Sequence, residues 1–181
     1  MANRWIVTAI GKDRPGIVAG VTKVLYQLGC NLEDSAMTRL EGEFTIMLIF
    51  SSPSGMTEEK LRKGFAPLEG PLKLVVHLKA LTKPETSGPR TRGRTYLISV
   101  YGADHPGIVF HVSEALARAR VNITDVHTHR SAGKGPSLYL LLLEVELPPR
   151  MTGESLEPHL KKLGKSLGVE VSLRPSESEI L

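Results

Sequence analysis

Apolar residues follow two kinds of spacing along the chain, and the two kinds alternate in the same order twice. Short apolar and β-branched runs, which are typical of buried strands, occupy Ile6–Ile10 and Tyr96–Tyr101. A turn follows each run, and beyond it the apolar residues are spaced as on one face of a helix. That face comprises Ile17, Val18, Val21, Val24, Leu25 and Leu28 in the first copy and Ile108, Val109, Val112, Leu116 and Ala119 in the second.

The remainder of each copy also repeats. Strand-like segments come next, at Leu32–Leu40 with Phe44–Phe50 and at Ile123–Arg130 with Leu138–Val145. Thr57 and Thr152 are predicted N-caps of a second helix, and Leu74–Leu78 and Val169–Leu173 are predicted last strands. Gly29 suits the end of the first helix, whereas Arg120 takes its place in the second copy and predicts a different cap there.

This order predicts an α+β protein of two tandem ferredoxin-like βαββαβ domains, each an antiparallel four-stranded sheet with both helices on one face. Trp5–Asp34 and Tyr96–Asp125 share 10 of 30 residues at a constant offset of 91, which makes chance a poor explanation. We expect a first domain at 1–81, a linker at 82–94, a second domain at 95–175 and a short tail at 176–181. The linker is rich in Pro, Gly, Thr, Ser and Arg.

The composition argues against several classes of protein. No apolar stretch is long enough to span a bilayer, the N-terminus lacks the apolar run of a signal peptide, and Cys30 is the only cysteine. We therefore expect a cytoplasmic protein without an internal disulfide or membrane contact. The net charge of +4 is shared evenly by the two copies, and the densest basic cluster, Arg90, Arg92 and Arg94, lies in the predicted linker, so direct nucleic-acid binding is not expected.

The most informative segment is the turn between the first strand and the first helix, Gly11–Val18, which is repeated as Gly102–Val109. We expect the first glycine to adopt backbone angles that other residues avoid, Asp13 and Asp104 to cap the helix, and Pro15 and Pro106 to fit its first turn. Gly16 and Gly107 remove side-chain bulk where backbone N–H groups point outward, and such a helix start attracts a carboxylate. The alternative is a well-made strand-to-helix turn without a ligand.

Asn31 and Asn122 begin the second strand of each copy. The Asn amide offers both a donor and an acceptor, which suits recognition of an α-amino and carboxylate pair. A turn-forming Asn after a helix explains the residue equally well in isolation, but its recurrence beside the same turn favours a functional role.

D-R-P-G-I-V followed by N-L-E-D, repeated as D-H-P-G-I-V with N-I-T-D, resembles the ACT domain, a ligand-binding regulatory module. The tandem form and the length are most similar to the glycine cleavage system transcriptional repressor group. The resemblance implies a small amino acid such as glycine or serine as ligand, a homodimer, and regulation through a DNA-binding partner protein.

The resemblance also implies where the ligand would lie, with the turn of one copy facing the start of the second strand of the other. Gly11, Asp13, Gly16, Ile17 and Val18 would then face Asn122 and Ile123, and Asp104, Gly107, Ile108 and Val109 would face Asn31 and Leu32. Arg14 and His105 differ between the copies, so the two sites need not bind equally. The complete set of predicted ligand-binding residues is Gly11, Asp13, Arg14, Pro15, Gly16, Ile17, Val18, Asn31, Leu32, Asp104, His105, Pro106, Gly107, Ile108, Val109, Asn122 and Ile123.

Other functions have weaker support in the sequence. Cys30 ends an apolar helix face and suits packing better than nucleophilic catalysis, so we expect neither an enzyme nor a cofactor. Asp125, His127 and His129 alternate on one strand and could ligate a metal, but the first copy has Asp34, Ala36 and Thr38 there, and an exposed polar face is favoured. An RNA-binding tandem and a ligand-free protein–protein interaction module remain as alternatives.

Overall fold

Both copies contain the predicted order of strands and helices, as seen in a computed structural model that describes residues 3–81, 94–131 and 137–176. The chain divides into two units, Met1–Gly88 and Pro89–Leu181, each with its own hydrophobic core. Apart from Arg94 and Ser176, the predicted linker at 82–94 and tail at 176–181 lie outside the described residues, and the exact domain limits stay a prediction. Within the described ranges, no helix is both long and apolar enough to cross a membrane.

The first unit runs β1 (Asn3–Lys12), α1 (Ile17–Gln27), β2 (Asn31–Leu40), β3 (Glu43–Ser52), α2 (Glu58–Glu69) and β4 (Val75–Leu81). The strands are ordered β2-β3-β1-β4, and every neighbouring pair is antiparallel. β1 is therefore central, whereas β2 and β4 form the edges of the sheet.

The second unit repeats this arrangement with β5 (Thr95–Ala103), α3 (Ile108–Arg118), β6 (Asn122–Arg130), β7 (Leu138–Glu146), α4 (Gly153–Leu167) and β8 (Val169–Pro175). Its strand order is β6-β7-β5-β8, again antiparallel throughout. The two units even share a bulge, which shifts the register between Leu32 and Asp34 in β2 and between Ile123 and Asp125 in β6. The ferredoxin-like fold predicted from the sequence is confirmed in both copies.

Alternation along the central strands separates the covered face of each sheet from the open face. In β1, Trp5, Val7 and Ala9 are buried while the residues between them are more exposed, and Tyr96, Ile98 and Val100 repeat this in β5. The Trp5 indole donates a hydrogen bond to Ser52 Oγ at 3.1 Å, which satisfies a polar atom inside the first core. The helices thus cover one face of each sheet.

The starts of the helices divide into two types. Thr57 and Thr152 cap α2 and α4 as predicted, since each hydroxyl accepts a hydrogen bond from the backbone three residues later. The predicted capping role of Asp13 and Asp104 is wrong, because Gly16 and Gly107 occupy the N-cap positions of α1 and α3.

The ends of α1 and α3 share one cap, so the predicted difference there is also wrong. Gly29 and Arg120 have φ of 65° and 56°. The next residues, Cys30 and Val121, donate backbone hydrogen bonds to the carbonyls five residues earlier, Leu25 O and Leu116 O. Arg120 therefore adopts the left-handed conformation that glycine adopts at lower cost.

This shared cap predicts opposite effects of two substitutions. Gly29→Ala should destabilise the first unit by about 1 kcal/mol, whereas Arg120→Gly should stabilise the second unit by about 0.5–1 kcal/mol. Denaturant unfolding measures both effects: fluorescence of the only tryptophan, Trp5, follows the first unit, and circular dichroism follows both units. A loss of stability in Arg120→Gly would contradict the shared cap.

Candidate functional site

The β1–α1 turn and its copy, the β5–α3 turn, begin at glycines whose role differs from the one predicted. Gly11 and Gly102 lie within their strands and are not among the glycines with positive φ. A Cβ on Gly11 would lie 2.9 Å from Lys73 O, and one on Gly102 would lie 3.0 Å from the Val169 Cα. These positions are glycines because the chain entering the last strand passes directly over them.

Gly16 and Gly107 supply the unusual backbone of the turn, with φ of 95° and 100°. A Cβ at Gly16 would meet no described atom within 4 Å, and one at Gly107 would meet the His111 ring at 3.3 Å, so conformation is the main reason for glycine here. In the part of the chain that the structure describes, no side chain caps α1 or α3, and neither first turn contains an acidic residue. The first N–H groups of both helices are therefore open donors.

An arginine from the edge strand pairs with the aspartate of each turn. Arg39 Nη1 lies 3.0 Å from Asp13 Oδ2, and Arg130 Nη1 lies 3.7 Å from Asp104 Oδ2. Both arginine side chains are 68% exposed, so most of each guanidinium remains available to another partner. These arginines are not among the predicted site residues, although they share the offset of 91 and lie a few residues beyond the repeated segments Trp5–Asp34 and Tyr96–Asp125.

A second basic side chain at each turn contacts the chain near the end of the second helix. Arg14 Nη1 donates to Pro71 O at 3.3 Å in the first unit. In the second unit, His105 lies between Pro106 O, 3.0 Å from Nδ1, and Leu167 O, 2.8 Å from Nε2. Carbonyl oxygens only accept, so the doubly protonated ring satisfies both contacts, and these two hydrogen bonds raise the pKa of His105. The nearby Asp104 carboxylate raises this pKa further.

Apolar side chains border the open helix starts. Val18 and Val109, predicted on the core face, are instead 42% and 39% exposed, whereas Ile17 and Ile108 are buried in the core. The two isoleucines can therefore offer a ligand little more than their backbone. In the second unit the turn forms a cavity of about 390 Å³ lined by Asp104, His105, Pro106, Gly107, Ile108, Val109, Phe110 and Tyr139. Six of the predicted ligand-binding residues thus line one concave surface.

Asn31 and Asn122 do not join the turns of their own units. Asn31 is level with Ser51 and Arg4, at the opposite end of the sheet from Lys12 and the turn, and Asn122 is level with Glu146 and Thr95. At about 3.3 Å per residue, roughly 26 Å along β1 separates Arg4 from Lys12. Leu32 and Ile123 follow these asparagines at the same end, and the predicted facing of these residues with the turn of the other copy stays a prediction.

Two other groups have local roles. His127 Nε2 lies 2.9 Å from Asp125 Oδ2 on the exposed face of β6, and among the described residues no three His, Cys, Asp or Glu side chains gather as a metal site. The Cys30 Sγ lies 3.9 Å from Leu28 O, and burial raises the pKa of the thiol. A raised pKa disfavours the thiolate that a nucleophile needs.

The position of His105 predicts a pH dependence of stability. Its pKa is raised above the unfolded value, so its stabilising contribution should be complete below about pH 6.5 and be lost as the pH rises through the folded pKa. We expect His105→Gln to lower the free energy of unfolding more at about pH 5.5 than at about pH 8.5. Arg14→Gln is the matched control, because arginine stays charged throughout this range. An equal loss at both pH values in His105→Gln would contradict a protonated His105 that donates to both Pro106 O and Leu167 O.

Comparison with known proteins finds the same repeat. The model of a family described as the ACT domain matches residues 3–78 and again residues 94–174. The glycine cleavage system transcriptional repressor of Escherichia coli K12 is 28% identical over 173 residues, covering 93% of this chain and 87% of the repressor.

Two solved structures share the fold over nearly the whole chain. A protein of unknown function from Galdieria sulphuraria aligns with a TM-score of 0.79 at 23% identity, covering 97% of this chain and 99% of its own. A putative glycine cleavage system transcriptional repressor aligns with a TM-score of 0.71 at 20% identity, covering 96% and 97% of the two chains. With both family matches falling on the two βαββαβ units, the chain belongs to the ACT-domain family and carries the domain twice.

Proposed function

We propose that the chain is a regulatory protein that binds a small amino acid, such as glycine or serine, at the β1–α1 turn, the β5–α3 turn or both. The ligand would act by favouring one arrangement of the protein over another, which requires that it bind that arrangement more tightly. The partner that receives the signal would be a separate protein.

The observation that carries this proposal is the charge pattern of the turn. An α-amino acid at neutral pH has an ammonium group beside a carboxylate. Each turn offers an aspartate for the ammonium and an open helix start with an arginine for the carboxylate, namely Asp13 with Arg39 and Asp104 with Arg130. In the second unit the exposed Val109 lines the cavity of about 390 Å³, which offers space for the ligand side chain.

The two turns favour different ligands or different affinities. Ile10 and Ala19 near the first turn correspond to Tyr101 and Phe110 near the second, and both aromatic side chains are largely exposed. The second turn thus has more apolar surface and, in place of Arg14, a histidine, His105, whose pKa is raised by its two hydrogen bonds to backbone carbonyls. Asn31 and Asn122 lie too far from the turns of their own units, so their proposed role requires the turn of another unit.

The regulated process is suggested by the relatives. The Escherichia coli protein that matches 93% of this chain is named a transcriptional repressor of the glycine cleavage system. By analogy we propose a role in controlling glycine cleavage or one-carbon metabolism, through a DNA-binding partner and as a homodimer. Catalysis forms no part of the proposal.

RNA binding through the sheet is the second candidate, and the exposed aromatic residues argue against it. RNA-recognition sheets stack bases on aromatic side chains of their strands. Of the large exposed aromatic residues in the described segments, Tyr101 lies on a strand, whereas Tyr26 and Phe110 lie on helices. A single tyrosine does not form a stacking platform.

Isothermal titration calorimetry of the full chain with glycine, serine and the other common amino acids tests the proposal. We expect saturable binding of at least one of them, weakened by about tenfold or more in Asp13→Asn or Asp104→Asn, since each substitution removes a charged hydrogen-bond partner of the ammonium. Asn31→Ala and Asn122→Ala test the asparagines in the same way.

Glu59→Gln is the matched control, because it removes a carboxylate that is paired with Lys63 at the start of α2, whereas the β1–α1 turn contacts the chain beyond the other end of that helix, at Pro71. This variant should bind like the wild type. The proposal fails if none of the amino acids binds, or if the aspartate variants bind as tightly as Glu59→Gln. In that outcome, a ligand-free pair of interaction modules becomes the better account.

A further inference from the structure

The two units pack their helices differently at one position. In the first unit, α2 approaches α1 at Gly64, where a Cβ would lie 2.9 Å from the Leu28 Cδ1 and 3.1 Å from the Val24 Cγ1. Val24 and Leu28 thus pack directly on the backbone of α2, and the helix crossing is filled.

The second unit has smaller residues on α3 at the same crossing. The repeat offset places Ala115 and Ala119 where Val24 and Leu28 lie, and the Thr57 and Thr152 caps align His159 with Gly64. A cavity of about 520 Å³ lies here, lined by Ala115, Arg118, Ala119, Met151, Ser155, Leu156, His159 and Leu160. The α3 side chains at this crossing are smaller than those of α1. The His159 side chain, which stands where Gly64 lies in the first unit, is exposed and lies with Nδ1 3.0 Å from Ser155 O, so a space remains between the helices.

The lining of this cavity is apolar with basic groups. Alanine, methionine and leucine side chains supply the apolar surface, and Leu156 and Leu160 belong to the core. Arg118 and His159 are the lining residues that can carry charge, and no carboxylate lines the cavity. Glu114, one turn earlier on α3, pairs with Arg118 at 2.8 Å, but the Arg118 side chain is 77% exposed and retains other N–H groups.

We propose that this α3–α4 cavity is a binding site for an amphipathic monocarboxylate, an acid with an aliphatic chain, and that it is separate from the turn. The chain of the acid would lie against the alanines, Met151 and the leucines, and its carboxylate would reach Arg118. The volume is typical of small-molecule sites, which combine mainly apolar linings with a few polar groups. Charge complementarity favours an acid over an amine or a neutral lipid.

Titration of the full chain with sodium decanoate, followed through the methyl signals of Ala115, Ala119 and Met151 by NMR, tests this site. We expect saturable shifts confined to this cavity. Arg118→Gln should weaken binding by roughly three- to fivefold, the size expected for one exposed charge. Arg62→Gln is the matched control, because Arg62 forms the same type of exposed ion pair one turn along α2, with Glu58.

A second variant fills the cavity. The triple substitution Ala115→Val, Ala119→Leu and His159→Gly copies the crossing of the first unit and should abolish the decanoate shifts, and Ala119→Leu alone should reduce them if the triple variant does not fold. The proposal is overturned if decanoate gives no saturable shifts with the wild type, or if the filled variant binds it equally well. Neither result bears on amino-acid binding at the turns.

Discussion

The arrangement of each unit depends on how the chain leaves the central strand. At that point it must turn onto the covered face of the sheet and place Ile17 or Ile108 in the core within a few residues. A glycine with φ near 100° at Gly16 and Gly107 makes this turn possible. The same glycine occupies the N-cap position and brings no capping side chain, so the helix begins with open donors. The glycine that the fold requires at this turn is therefore also the reason why the N–H groups of the candidate site are open.

The two units share the backbone of this turn but differ in some of the side chains around it. The aspartate–arginine pair, the left-handed glycine and the strand bulge recur in both units. By contrast, Arg14 becomes His105, and the filled crossing at Gly64 becomes a cavity beside His159. The left-handed backbone of the turn and its aspartate–arginine pair therefore recur, whereas the second basic side chain of the turn and the packing of the helix crossing differ. Under the proposed function, one chain would carry two turns with the same backbone geometry and different ligand preferences.

Sequence periodicity predicted the elements well because each has a one-sided pattern and recognisable ends, such as the threonine caps of α2 and α4. The predictions failed where the spacing of residues along the chain does not determine burial, capping or pairing. Val18 and Val109 fit the apolar face of the helix but lie in its exposed first turn. Asp13 was expected to cap a helix but pairs with Arg39, which is distant in sequence and reaches the turn only because β2 lies parallel to β1 with β3 between them. Arg120 shows that a cap can be kept without its glycine.

The most direct test of ligand binding at the turns is a ¹H–¹⁵N NMR titration of the full chain with glycine and with serine. The account predicts that the amide signals of Gly16, Gly107 and the first residues of α1 or α3 shift saturably, since these N–H groups are the open donors that would meet the carboxylate. Saturable shifts confined to other parts of the two units, with the turn signals unchanged, would contradict it. So would the absence of any shift with either amino acid.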